Sequence, residues 1–395
     1  MPMTIVRAAI GFSLLLASSN AQSAVFEFVR QLPGSTATGY DFGLAVDTDG
    51  VLVAATSLAT DPSPGATAGA GYVFAPENGD LVNRLYDSTS STGDAYGFTI
   101  AIDGDRTIVG APRGASQSDT VYLFDHTTGA VLAKPTGDVR LNNSFGASIA
   151  MDQGIAIVGS PGESIAPRER GAVYVYDAAD GSRLRKITSG DSISSAFGQS
   201  VALNDGLALI GSPRSSDVGL AHLYDAVTGN KIADYSPEDD ALGDNFGFQV
   251  AIADGVALVG APTRTVGSRF GSAYLFDVAT GQQIAKLSPK TNSRDDGYGQ
   301  SVAIDDGIAL VGGPRVGEVY VFDARTGTEL SRIISPEGVN SFGSSLAFRD
   351  GLAVIGASSR SSAPGTAFIY RLTIPEPGAL LLALAAVSSL ALRRR

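Results

Sequence analysis

Cysteine is absent from the 395-residue chain, which excludes disulfides, thiolate metal sites and a cysteine nucleophile. A chain of this length can bury enough surface to fold without cross-links. Tryptophan is absent too, and histidine occurs only at His126 and His222. No His-x-His or His-Glu pattern accompanies either, so a histidine-based metal centre or triad has no support and both read as structural residues. Positive charge is scarce: 28 Lys and Arg face 40 Asp and Glu, a net −12. Arg7 and Arg393 to Arg395 lie in the terminal segments, and without those four charges the remainder carries −16. So acidic a surface argues against nucleic acid and anionic lipid as partners and favours solubility outside the cell. Residues 25 to 373 also lack any sustained helical period.

What the chain does contain is a repeat. An aromatic-Gly pair followed by a Gly-Ala-Pro-like element and a Tyr-x-Phe-Asp-like strand recurs seven times. The pairs are Phe42-Gly43, Tyr96-Gly97, Phe145-Gly146, Phe197-Gly198, Phe246-Gly247, Tyr298-Gly299 and Phe342-Gly343, at spacings of 44 to 54 residues. A period of that size predicts stacked or radially arranged units. In the fifth copy, four apolar runs bounded by turn residues predict strands a (248–252), b (256–259), c (272–276) and d (283–287), a four-stranded antiparallel meander. Asp254-Gly255 between a and b is a hairpin signal, because Gly accepts the positive φ of a primed turn. Asp49-Gly50, Asp103-Gly104, Gln153-Gly154, Asp205-Gly206, Asp306-Gly307 and Asp350-Gly351 are its counterparts. Between c and d, Asp-x-x-Thr-Gly (277–281, 323–327) predicts a turn in which the Asp side chain accepts from backbone amides.

The ends of the repeat region decide between an open stack and a ring. The seventh copy finishes with strand c at 366–372 and has no strand d, whereas 25–33 precedes the first pair and reads as a lone strand d. One strand missing and one spare predict closure, which removes free sheet edges. The expected fold is all-β, a seven-bladed β-propeller over residues 25–373.

These units resemble FG-GAP repeats, the propeller repeats of integrin α-subunits and of many exported bacterial proteins. The Gly-Ala-Pro element stands at Gly110-Ala111-Pro112 and Gly260-Ala261-Pro262, becomes Gly-Ser-Pro at 159–161 and 211–213 and Gly-Gly-Pro at 312–314, and drifts further at Gly356-Ala357-Ser358 and Ala54-Ala55-Thr56. The expected role is packing: the aromatic fills space between blades, and the small residues let backbones approach.

Both termini carry address signals. Residues 1–21 have Arg7, an apolar run from Ala8 to Ala17 and Ser19-Asn20-Ala21, a secretory signal peptide expected to end at Ala21, with cleavage after Ala24 as the alternative. Residues 374–395 contain Pro375-Glu376-Pro377, an uncharged stretch over 378–392 and Arg393-Arg394-Arg395. This resembles the PEP-CTERM sorting signal of Gram-negative bacteria. The resemblance implies recognition by an exosortase, transient insertion of 378–392 in the inner membrane, cleavage near Pro-Glu-Pro, and delivery to the cell surface or beyond. The stretch is shorter than the roughly 20 residues of a spanning helix, which favours processing over a permanent anchor. The arginines suit the positive-inside rule.

Candidate chemistry is sparse. Integrin-type repeats carry calcium loops, which the resemblance would place between strands a and b, but calcium needs six to eight oxygens and these hairpins have room for one turn. Asp47 with Asp49, and Asp103 with Asp105, come nearest and are expected to be turn formers; no metal and no cofactor is assigned. Asp239-Asp240 and Asp295-Asp296 sit in polar d–a connections and read as solvated charges. Residues 121–132, 273–284 and 319–330 also resemble quinoprotein propeller repeats, but the Trp that usually ends those repeats is missing. In a meander the b–c and d–a loops share one face. The b–c loops carry Arg113, Arg168, Arg170, Arg214, Arg264, Arg269, Arg315 and Arg360. Guanidinium groups there suit carboxylate or sulfate ligands. The alternative is pairing with Asp94, Asp191, Asp239, Asp240, Asp244, Asp295 and Asp296 of the d–a loops. The expected function is non-enzymatic: a monomeric surface or matrix protein binding or scaffolding exopolysaccharide or a surface protein. A propeller enzyme and a purely structural component are the alternatives.

Overall fold

The computed structural model describes residues 24–32, 41–58, 69–87, 94–112, 119–138, 143–166, 169–190, 196–215, 218–239, 244–262, 271–289, 297–358 and 365–373. Every helix or strand element among them is a β-strand, and the strands form seven four-stranded antiparallel sheets. Six sheets take their strands in chain order, such as Gln249–Ala253, Val256–Ala261, Ser272–Asp277 and Gln283–Leu287. The seventh pairs Val25–Leu32 with Thr366–Thr373, followed by Leu352–Ala357 and Phe342–Arg349. The spare strand therefore completes the last blade, in a register from Val25↔Thr373 to Leu32↔Ala367. Residues 1–21 and 374–395, expected to be a signal peptide and a sorting signal, lie outside the described residues.

The blades are numbered 1 to 7 by their first strands: Val46–Thr48, Thr99–Asp103, Ser148–Asp152, Ser200–Asn204, Gln249–Ala253, Val302–Asp305 and Phe342–Arg349. Each of these strands touches the next, and the last touches the first, so the units form a closed ring with strand a innermost. The hydrophobic core is distributed between blades. Tyr96, for instance, packs with Val73 and Leu85 of blade 1 and with Ile100 and Tyr122 of blade 2.

The aromatic-Gly pair is the centre of a β-turn. In all seven copies the N–H after the glycine donates to the carbonyl before the aromatic, from Leu44 to Asp41 through Ser344 to Ser341, at 3.0–3.1 Å. The glycine has φ of 77–90°, the third-position conformation that a type II turn demands. It also abuts the preceding blade: a Cβ on Gly299 would stand 2.3 Å from the Ser272 carbonyl oxygen. The glycine of Gly-Ala-Pro completes this contact, since a Cβ on Gly159 would meet the Gly198 carbonyl at 2.1 Å. Packing between blades thus explains both halves of the motif. In blade 1, Gly43 N–H donates to Thr56 as Gly97 N–H donates to Gly110, so Thr56 occupies the motif-glycine position and not Ala54.

Two turn expectations also shift. Asp254-Gly255 forms the hairpin loop with φ of 52° and 73°. In blade 2, however, Asp103 pairs with Arg106 as the last strand residue, and the loop is Gly104-Asp105. In blade 1 Thr48 pairs with Val53, leaving a longer loop. There the Asp49 carboxylate accepts from Val51 and Leu52 N–H at 2.9 and 2.7 Å. The Asp-x-x-Thr-Gly turns form as expected, with Asp277 and Asp323 accepting from Thr280 and Thr326.

Candidate functional site: the axial channel

The seven innermost strands enclose a cavity of about 1050 Å³ along the ring axis. Strand a is a sheet edge, so the cavity wall combines edge backbone with the side chains that frame its two ends.

At the end formed by the a–b turns, charged side chains knit the ring together. Arg349 of blade 7 bonds to Asp152 of blade 3, Nη2 to Oδ1 at 2.7 Å. Those blades are not neighbours, so the guanidinium crosses the axis. Burial works against its charge, but the bond to Asp152 and the fields of Asp152, Asp103 and Asp47 outweigh it and raise the Arg349 pKa. The Asp152 side chain is 1% exposed. Five blades also hand a carboxylate to a backbone N–H of the next: Asp47 accepts from Ile102 at 2.8 Å, Asp103 from Gly154 at 3.1 Å and Asp152 from Asp205 at 2.9 Å. Asp254 accepts from Gly307 at 2.9 Å and Asp305 from Asp350 at 2.6 Å. Asp47 and Asp103 are therefore inter-blade links, which corrects their reading as turn formers; the local sequence resembles a turn, but the acceptor serves the next blade. Burial raises Asp47 to about 7 and Asp305 to about 6, in the latter aided by Asp306, Asp254 and Asp350.

A second series of links lies at the other end of strand a. Thr99, Ser148, Ser200, Ser301 and Ser345 donate their hydroxyls to the carbonyls of Gly146, Gly198, Gly247, Gly343 and Gly43, at 2.5–3.0 Å. Each acceptor is the turn glycine of the following blade. The residue just after that glycine differs from copy to copy, and all seven line the cavity: Leu44, Phe98, Ala147, Gln199, Phe248, Gln300 and Ser344. Phe98 and Phe248 are half-buried and belong to none of the interior hydrophobic clusters. Arg315, Asn340, Ser341 and Ser358 also line the cavity. The signal for this rim was present in the sequence as a variable position directly after the aromatic-Gly pair of each copy.

Of the arginines expected in b–c loops, Arg170, Arg214 and Arg315 are described, and all three are exposed. Arg214 and Arg315 lie in b–c turns, but Arg170 is on strand c (Glu169–Asp177), paired with Ser164, because strands b and c of blade 3 extend into what the sequence reads as a loop. Only Arg315 lines the axial cavity. Arg113, Arg168, Arg264, Arg269 and Arg360 lie outside the described residues. Of these d–a acids, Asp239 has a partner outside the b–c loops, and Asp138, in the corresponding connection of blade 2, has the same kind. Asp239 binds Lys286 and accepts from the Tyr274 hydroxyl at 3.0 Å. Asp138 binds Arg183 and Lys186, which hold its carboxyl below the usual range. The lysines rest over tyrosine rings, Lys186 on Tyr174 at 5.3 Å and Lys286 on Tyr274 at 5.4 Å. A Tyr–Lys–Asp group thus spans successive blades, with the acid taken by a strand d lysine. His126 Nδ1 lies 3.1 Å from Thr107 Oγ1, and buried His222 lies 2.5 Å from Asp234. Among the described residues no group of His, Asp and Glu is arranged to hold a metal ion.

Geometry thus defines a seven-bladed propeller with an axial channel. The family model for the FG-GAP repeat matches residues 80–124 and 230–276. Each match runs from strand d of one blade through strand c of the next, so the sequence unit straddles two structural blades. FG-GAP repeats are typical of extracellular or surface proteins. Comparison with curated proteins gave no match.

Proposed function

We propose that the protein is an exported, non-enzymatic component of the cell surface or extracellular matrix. It binds or scaffolds exopolysaccharide or a surface protein through the face formed by its b–c and d–a loops. The observation that carries this reading is the exposure, in a strongly acidic chain, of Arg214 and Arg315 in b–c turns and of Arg170 at the start of the neighbouring strand c. Guanidinium groups presented by loops are suited to anionic polymers and make contacts that salt weakens. Delivery follows from residues 1–21 and 374–395: export, transient inner-membrane insertion, and exosortase processing at Pro375-Glu376-Pro377.

The test is binding of the full chain to acidic and neutral polysaccharides at low and moderate salt. Salt-sensitive binding to acidic sugars is expected, and alanine at Arg113, Arg214 and Arg315 should weaken it. Unchanged affinity in that variant removes the arginine face. Silence across all sugars moves the assignment to a protein partner or a structural role.

A further inference from the structure

We infer that the axial cavity is a binding site for the terminal units of an acidic oligosaccharide. The inference rests on the polysaccharide reading above and deepens it. A volume of about 1050 Å³ lies at the upper end of small-molecule sites, roughly 300–1,000 Å³. Its lining has the composition that sugar recognition needs. Phe98 and Phe248, from blades 2 and 5 on opposite sides of the ring, offer aromatic faces to the apolar side of a pyranose. Gln199 and Gln300, from blades 4 and 6, supply amides that both donate to and accept from hydroxyls.

Charge gives the ligand a direction. Arg315 lies after strand b, on the b–c loop side, and Asp47 and Asp305 line the cavity at the a–b end. A carboxylate-bearing unit is therefore held near Arg315, while an uncharged, hydroxyl-rich end points towards the aspartates, which accept hydrogen bonds. The Arg349–Asp152 strap crosses the axis at that far end. A running chain cannot thread past it, whereas a chain end can enter from the Arg315 side. The site reads ends, and the arginine loops outside it hold the length of the polymer.

Calorimetric titration of the full chain with trigalacturonate, its carboxyl-reduced trimer and polygalacturonate tests this. Trigalacturonate should bind and compete with the polymer. Phe98→Ala and Phe248→Ala should each weaken trimer binding about tenfold, the upper range for an aromatic contact, with unchanged melting temperature. Arg315→Ala should erase the preference for the trimer over its reduced form. Arg170→Ala with Arg214→Ala should weaken the polymer and spare the trimer. If a phenylalanine variant fails to fold, Gln300→Ala, at an exposed side chain, takes its place with the same expected direction. Polymer binding without trimer binding overturns end recognition and leaves the surface reading standing. Trimer binding that ignores Phe98, Phe248 and Gln300 overturns the axial site. Failure of all three probes overturns both for acidic sugars.

Discussion

At the a–b end of the channel, Asp47, Asp103, Asp152, Asp254 and Asp305 each accept a hydrogen bond from the next blade, and Arg349 ties blade 7 to blade 3. At the other end, the seven residues after the turn glycines share a backbone position and differ in chemistry: Leu, Phe, Ala, Gln, Phe, Gln and Ser. The first end uses side chains to hold the ring, so a change there removes a bond between blades. The second end leaves its holding to backbone and hydroxyls one residue away, at Ser148 to Gly198 and its counterparts, so its axial side chains can vary without opening the ring. Variation beside a fixed scaffold is where recognition is expected in a repeat protein.

Substitutions can break this contrast. The largest effect belongs to neither end but to the contact that sets both: Gly159→Val drives a side chain into the Gly198 carbonyl, and about 4 kcal/mol or more of stability should be lost in urea unfolding. Gly154→Ala, at a turn where no atom lies within 4 Å of the added carbon, should cost only about 1 kcal/mol for its φ of 77°. At the bonded end, Arg349→Ala leaves Asp152 buried without its cation. The loss should be about 2 kcal/mol, below that of a fully enclosed pair because the guanidinium side chain stays 33% exposed. An unfolding midpoint equal to wild type would show that the strap does not stabilise the ring.

Asp47 gives that end a pH signature. Its carboxyl ionises at about 3.8 when unfolded and at about 7 in the ring. Between those values the folded state binds more protons, so this group lowers stability as pH rises, by at most about 1.4 kcal/mol per pH unit. Asp305 adds a change of the same sign up to about pH 6. Asp47→Asn should flatten the dependence of the urea midpoint between pH 4.5 and 7.5; an unaltered slope would remove Asp47 as its source. Ser148→Ala, which deletes one hydroxyl link, should cost about 1 kcal/mol. Phe248→Ala at the variable end should cost least, about 0.5 kcal/mol or below, since the ring packs in none of the interior clusters. A large loss there would make the rim part of the core and end the contrast.

Much of this molecule was legible in its residues. Asp254-Gly255 announced a hairpin, Asp277 to Gly281 a c–d turn, and the lone strand at 25–32 its place beside 366–373. The drift in blade 1 was misplaced by two positions, from Ala54 to Thr56: Thr56 stands 13 residues after Gly43, as Gly110 stands after Gly97, but with no glycine there the small Ala54-Ala55 pair looked like the motif. The acids were read locally and serve distantly: Asp103 looked like a turn residue and bonds Gly154 of the next blade. The arginine loops drew attention through their charge, while the axial rim carries none except Arg315 and passed as ordinary variation.

Blade number, strand order and closure were determined by the sequence itself, because turn chemistry, period and strand alternation act over a few neighbouring residues and repeat seven times. Only the tertiary structure decided that Arg349 would meet Asp152, 197 positions away, and that seven scattered residues would share one rim. Ring closure brings side chains from different copies to a common axis, and their distances there depend on the curvature of the whole ring and not on any segment of the chain.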